Sequence, residues 1–131
     1  MELKQSSTLP AIRTTLMPKD TNSYGSIFGG VILSLIDLAA FIEAERQSQR
    51  RYLTVAMDKV EFHKPVMVGD IVTLWADTLK VGRTSIRVRV NVLARARQTR
   101  DDIAVTTAEV TMVAVDDNGR PVPVFDEAAA T

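Results

Sequence analysis

The run Val31-Ile32-Leu33-Ser34-Leu35-Ile36-Asp37-Leu38-Ala39-Ala40-Phe41-Ile42 decides the architecture. Apart from Ser34 and Asp37 every residue in it is apolar, and the apolar positions cover nearly every side of a helical projection rather than one stripe. A helix of that kind must be buried all round. At about 12 residues the run is too short for the ~20 that cross a bilayer. In a chain of 131 residues, burial all round requires a sheet wrapped around the helix. The helical pattern begins near Phe28, and Glu43-Ala44-Glu45-Arg46-Gln47-Ser48-Gln49-Arg50 turns polar at its far end.

The sheet is read outward from that helix. Ala11 to Met17 is a first strand stopped by Pro18, and Lys19 to Ser26 is a loop rich in turn formers. Beyond the helix, Leu53 to Phe62 is a strand ended by Lys64-Pro65, and Asp70 to Leu79 follows the Val68-Gly69-Asp70 turn. Ser85 to Val92 alternates polar and apolar residues, the mark of a strand with one wet face. Ile103 to Val115 is the last strand, closed by the turn Asp116-Asp117-Asn118-Gly119. One strand, one helix and four strands joined by short turns exclude a parallel doubly wound fold. The expected class is α+β, a curved antiparallel sheet around one long central helix. Residues 1–131 are expected to form a single domain, with a core from about 11 to 124 and a loose tail at Glu127–Thr131.

Composition narrows the chemistry. The formal charge is zero, which gives no overall attraction to nucleic acid or to an anionic membrane. There is no cysteine, so disulfides, thiol nucleophiles and thiolate metal sites are excluded, in keeping with a reducing compartment. His63 is the one histidine, which excludes a multi-histidine zinc site and disfavours a Ser-His-Asp triad. Met1 to Ser7 lacks the basic start and apolar core of a signal peptide. These features together predict a soluble cytoplasmic protein without a metal or organic cofactor.

Two features inside the helical segment carry chemistry. Asp37 lies in the most apolar stretch of the chain, where an ionised carboxylate is costly unless it is paired or put to use. Phe28-Gly29-Gly30 stands at the helix start, where glycines admit close backbone approach and free N–H groups favour negative charge. An oxyanion forming on a carbonyl would be stabilised there; tight packing of the helix against the sheet is the structural alternative. Gly30 and Asp37 are separated by roughly 10 Å along one helix, whereas reacting groups must come within about 3–3.5 Å. One chain therefore does not supply both, and a site using both is shared between two copies. His63 reads as an exposed or packing residue, Ser26 as a loop or capping residue. Lys80, Arg83, Arg87 and Arg89 read as a solvated strand face, with Arg83 and its neighbours able to hold phosphates.

At these residues the sequence resembles the cytosolic acyl-CoA hydrolase family of hot-dog thioesterases. The resemblance runs through Met17 to Asn22, Gly25 to Gly30 and Ile36-Asp37, resumes at Val60 to Asp70 and at Lys80 to Ser85, and ends at Val113 to Pro121. It implies a hot-dog fold, assembly as a dimer or a trimer of dimers, and hydrolysis of acyl-CoA to a free acid and CoA. Catalytic roles then fall on Asn22 and Asp37 across a subunit interface, Asp37 serving as general base or as nucleophile. The resemblance gives Gly30, with Gly29 and Phe28 beside it, the thioester, and it lays the CoA arm along Lys64 and the turn Gly82-Arg83-Thr84-Ser85. Ser26 departs from the acidic or amide residue common in relatives. Two other functions fit such a fold. A hot-dog dehydratase would want a histidine in the helix region, where this chain has none; a non-catalytic acyl-CoA sensor would have little use for both Asn22 and Asp37.

Overall fold

The computed structural model describes residues 3–96 and 98–126, so the tail expected at Glu127–Thr131 lies outside the described residues. Strand β1 (Ile12–Thr15) leads through a 3-10 turn at Pro18–Asp20 into helix α1 (Gly29–Gln47). Four strands follow: β2 (Arg51–Phe62), β3 (Ile71–Val81), β4 (Ser85–Arg95) and β5 (Ile103–Val115). They form one antiparallel sheet in the order β1-β3-β4-β5-β2. β2 begins two residues before the expected Leu53, β3 ends two residues and β4 three residues beyond the sequence pattern, and β5 matches it, whereas β1 covers only Ile12–Thr15 of the expected Ala11 to Met17; the expected loop at 19–26 opens with the short 3-10 turn.

The alternation read in β4 sets the two faces of the sheet. Ile86, Val88, Val90 and Val92 are fully buried on the helix side, and their partners Met112, Val110, Ala108 and Thr106 on β5 share that face. Outward lie the polar residues, tied across strands. The Arg87 guanidinium bonds Glu109 at 2.8 Å and Asp58 at 2.5 Å, and Lys59 stands 3.5 Å from Glu109. Hydrogen bonding from Arg87 holds the Glu109 carboxyl below its ordinary range.

The helix departs from its expected burial. Ile32, Ile36, Ala39, Ala40 and Ala44 pack into the sheet, but Leu38 is 48% exposed and Phe41 also faces outward. The polar end is the better buried: Glu43 is 2% and Gln47 1% exposed. Partners explain the inversion. Glu43 accepts hydrogen bonds from Arg46 Nε (2.7 Å), Thr78 Oγ1 (2.6 Å) and Gln47 Nε2 (3.0 Å). Burial pushes its pKa upward, yet the bonds from Arg46, Thr78 and Gln47 bring the carboxyl below its ordinary value. Gln47 in turn clamps the N-terminal segment, accepting from the Lys4 N–H (2.6 Å) and donating to the Lys4 carbonyl (3.2 Å), while Arg46 donates to the Gln5 carbonyl (2.8 Å). Beyond the helix, Ser48 Oγ donates to the Val124 carbonyl, and Tyr52 donates to the Ser48 carbonyl at 2.6 Å. Burial pushes the Tyr52 phenol up to about 12.

β2 is the long free edge of the sheet. It carries register shifts at Thr54/Ala56 and Asp58/Glu61, and Lys59 sits inside the second in the left-handed region (φ 52°). Such bulges bend an edge strand and re-aim its side chains. Leu53 and Val55 stand exposed on it.

Candidate active site

Asp37 lies two turns into α1, half-buried, facing the free edge strand. Thr54 of β2 donates its hydroxyl to Asp37 Oδ1 at 2.5 Å. No other hydrogen bond reaches this carboxylate among the described residues, so most of its capacity to accept protons or bonds stays open. Thr54 gives no signal in the sequence: it is an ordinary strand threonine 17 residues away, brought to Asp37 only by the packing of helix against edge.

The helix start supplies donors. Val31 and Ile32 N–H groups both return to the Phe28 carbonyl, at 3.0 and 3.4 Å. The amides of Gly29 and Gly30 precede any intrahelical acceptor, and no side chain of Phe28 caps them. A Cβ at Gly30 would meet nothing within 4 Å, so the space beside its Cα is open. Gly29 has a different reason to be glycine: a Cβ there would stand 3.3 Å from the Phe62 ring. Phe28 is exposed, its N–H fixed to the Asp20 carbonyl at 3.0 Å.

Asn22 organises the loop before the helix. Its Oδ1 accepts from the N–H groups of Tyr24 (2.8 Å) and Ser26 (3.2 Å), and its Nδ2 donates to Ser26 Oγ (2.8 Å). Ser26 is thus the residue that holds the Asn22 amide in one orientation. The Ile27 N–H to Val66 carbonyl bond (2.8 Å) then ties this loop to the segment after β2.

That tie encloses a pocket of about 320 Å³ beside the helix start, walled by Ile27, Ile32, Phe62 and Val66, with His63 and Lys64 also lining it. His63 and Lys64 are placed there because both donate backbone N–H to the Val105 carbonyl, at 2.7 and 3.3 Å. His63 also stands 3.4 Å from Glu61. It is exposed, as the sequence suggests, but it belongs to the rim of a cavity rather than to bare surface.

Gly29 and Lys64 therefore meet, while the turn Gly82–Ser85 does not join them. The turn closes on itself through the Gly82 N–H to Ser85 carbonyl bond (2.8 Å), and Ser85 Oγ would lie 2.9 Å from a Cβ at Gly82. Arg83 and Thr84 hold Val124 and Ala114 through their carbonyls. Ser85 pairs with Val113, whereas Phe62 pairs with Thr106. Seven residues of strand, roughly 23 Å, separate the two ends. Asp37 likewise stays about 10 Å along the helix axis from Gly30. Within one chain the residues expected to share a site fall into three places. Among the described residues, no three His, Cys, Asp or Glu side chains converge to hold a metal ion.

A five-stranded antiparallel sheet curled over one long helix, with an open carboxylate on that helix and glycine amides at its start, defines a hot-dog-fold protein. Residues 24–100 match the model of the thioesterase superfamily. The chain belongs to that family. An uncharacterized acyl-CoA thioester hydrolase of Zymomonas mobilis is 42% identical over 120 residues, spanning 90% of this chain and 80% of its own length. A hexameric hotdog fold thioesterase of Campylobacter jejuni is 43% identical with a TM-score of 0.84, covering 89% of this chain and 90% of that one. A hexameric broad specificity acyl-coenzyme A thioesterase, crystallised with an aspartate changed to alanine, is 39% identical with a TM-score of 0.86, covering 92% and 89%. Among the described residues no helix is long and apolar enough to cross a membrane.

Proposed function

We propose that this protein hydrolyses acyl-CoA thioesters in the cytoplasm, at sites built jointly by two copies of the chain. The observation that carries the reading is the open Asp37 carboxylate held by Thr54 on a helix whose own glycine amides lie too far along the axis to serve the same carbonyl. Pairing two copies along the free edge of β2 sets one α1 beside the other, and the Asp37 of each then faces the helix start of its neighbour. The surface around Asp37 supports such pairing. Leu38, Phe41, Leu53 and Val55 are all exposed, at 36–58%, so covering each contributes about half of the ~1.5–3 kcal/mol that full burial of such a side chain brings. A long unpaired strand edge adds backbone donors and acceptors that want a partner. Three such dimers would give six chains, the number in the hexamers named for the similar proteins of known structure.

In this arrangement the Gly30 amide, with Gly29 beside it, stabilises the charge that develops on the thioester oxygen. Asp37 takes a proton from water or attacks the carbonyl itself, Thr54 fixing its orientation in either case. Asn22, held by Ser26, orients the water or the ester. Lys64 at the pocket rim faces the CoA phosphates, and the Gly82–Ser85 turn reaches them only from another copy.

The test is thiol release from a panel of acyl-CoAs by wild type and Asp37→Asn, with oligomeric state checked. Turnover that collapses in a folded, still oligomeric variant is expected. Co-assembled Asn22→Ala and Asp37→Ala chains should regain part of it, because one mixed site is then complete. Undiminished turnover in Asp37→Asn would reject the mechanism.

A further inference from the structure

The pocket beside the helix start has a floor that neither the sequence nor the reaction accounts for. Thr106 lies on the helix side of β5, opposite Phe62 and Val92, is 1% exposed, and lines the cavity. Among the described residues, the one side-chain group sealed from solvent without a partner is the hydroxyl of Thr73. Thr106 is buried as deeply, and its side chain makes no hydrogen bond to any described residue. Its hydroxyl therefore opens on the pocket. A buried hydroxyl without a partner costs about 1–3 kcal/mol, and a purely hydrocarbon occupant would leave that cost in place.

Three features define the occupant. The walls are apolar: Ile27, Ile32, Phe62 and Val66. The floor presents one hydroxyl able to donate and accept. The rim carries Lys64, with His63 beside it and Glu61 3.4 Å from the His63 ring. A plain acyl tail satisfies only the first. A chain with alkyl segments, an internal amide and a terminal anion satisfies all three, and within an acyl-CoA that chain is the pantetheine arm with its pyrophosphate.

We infer that this pocket holds the pantetheine arm, that the Thr106 hydroxyl hydrogen-bonds one of its amides, and that Thr106 is a substrate-binding residue. The inference rests on the thioester-hydrolase reading and goes further by fixing which part of the substrate lies on which side of the helix start. The arm fills the recess between α1 and the end of β2, so the acyl group extends the other way, toward Asp37 of the second copy.

Calorimetric titration with free CoA tests it directly, because CoA carries the arm without the acyl group. Thr106→Val keeps the shape and suits a strand, and Thr106→Ser keeps the hydroxyl. Losing one neutral hydrogen bond should weaken CoA binding about fivefold in Thr106→Val, and Thr106→Ser should retain it. The KM for acetyl-, butyryl- and octanoyl-CoA should rise by that same factor regardless of chain length. Unchanged CoA binding, with a KM penalty that grows with acyl length, would overturn the inference and give the pocket to the acyl tail. CoA binding that weakens in Thr106→Val, in a protein whose wild type turns over no acyl-CoA at all, would sink the hydrolase reading while the arm site stood.

Discussion

Helix α1 carries two inward- or edge-facing carboxylates six residues apart, and the protein treats them in opposite ways. Glu43 is sealed in the core, and both its oxygens accept bonds, from Arg46, Thr78 and Gln47. Asp37 is half-buried at the free edge and has Thr54 as its hydrogen-bond partner among the described residues. The first half of the helix also begins with uncapped glycine amides, whereas the second half ends in side chains that clamp both terminal segments. A carboxylate whose oxygens are both bonded within the core is a fastening, whereas one with a single partner keeps acceptor sites open for chemistry. The same helix supplies both because its two halves meet different neighbours.

Exchanging each carboxylate for its amide should break the comparison most sharply. Asp37→Asn is expected to lower kcat by about a thousandfold, the usual scale for loss of a positioned base, with the melting temperature little changed. Glu43→Gln should do the reverse. It removes charge-assisted bonds and costs about 2 kcal/mol of stability at neutral pH, while turnover per folded molecule is retained. The pH dependence carries a sign. The folded Glu43 carboxyl lies below its ordinary value of 4.5, so its contribution is present above that pH and is lost as pH falls through the folded value. Denaturant unfolding from pH 7 to pH 3 should therefore show wild type and Glu43→Gln converging in acid. A gap of constant size would mean that packing, not charge, holds this end.

Thr54→Val tests the one bond that Asp37 does have. An expected tenfold fall in kcat at unchanged KM would make Thr54 a positioning residue; unchanged kcat would reduce it to a filler of the edge. Gly29→Ala should give the smallest effect on the fold. Gly29 is the first residue of α1, where alanine gains less than the ~0.5–1 kcal/mol of a helix interior, and the Phe62 ring, 3.3 Å from the new Cβ, must give way. Stability should move by less than about 1 kcal/mol. The ring is a wall of the pocket, so the KM for acyl-CoA should move more than the melting temperature.

The strands and the helix were legible in the sequence because alternation in Ser85–Val92 and the apolar run at Val31–Ile42 report directly on faces and burial. Asp37 was legible for the same reason, as a charge in the wrong company. What could not be read were partners. Glu43 and Gln47 lie where the sequence turns polar, and hydropathy says nothing of Thr78 waiting on β3. Leu38 and Phe41 looked like core, since one chain's pattern does not distinguish its own sheet from a second copy. Thr54 and Thr106 are ordinary strand residues until the bulged edge and the Val105 carbonyl bring the helix and the His63-Lys64 rim beside them.

The clamp on the N-terminal segment has a consequence for how this protein can change over generations. Gln47 and Arg46 hold Lys4 and Gln5 by their main-chain N–H and carbonyl groups, not by their side chains. Any residue with a free N–H could stand at position 4, and any residue at all at position 5, without loss of the latch. Mutational freedom is thus concentrated in the segment that is held, and constraint in the glutamine that holds it. Sequence divergence at the start of the chain carries no information about whether the segment is docked.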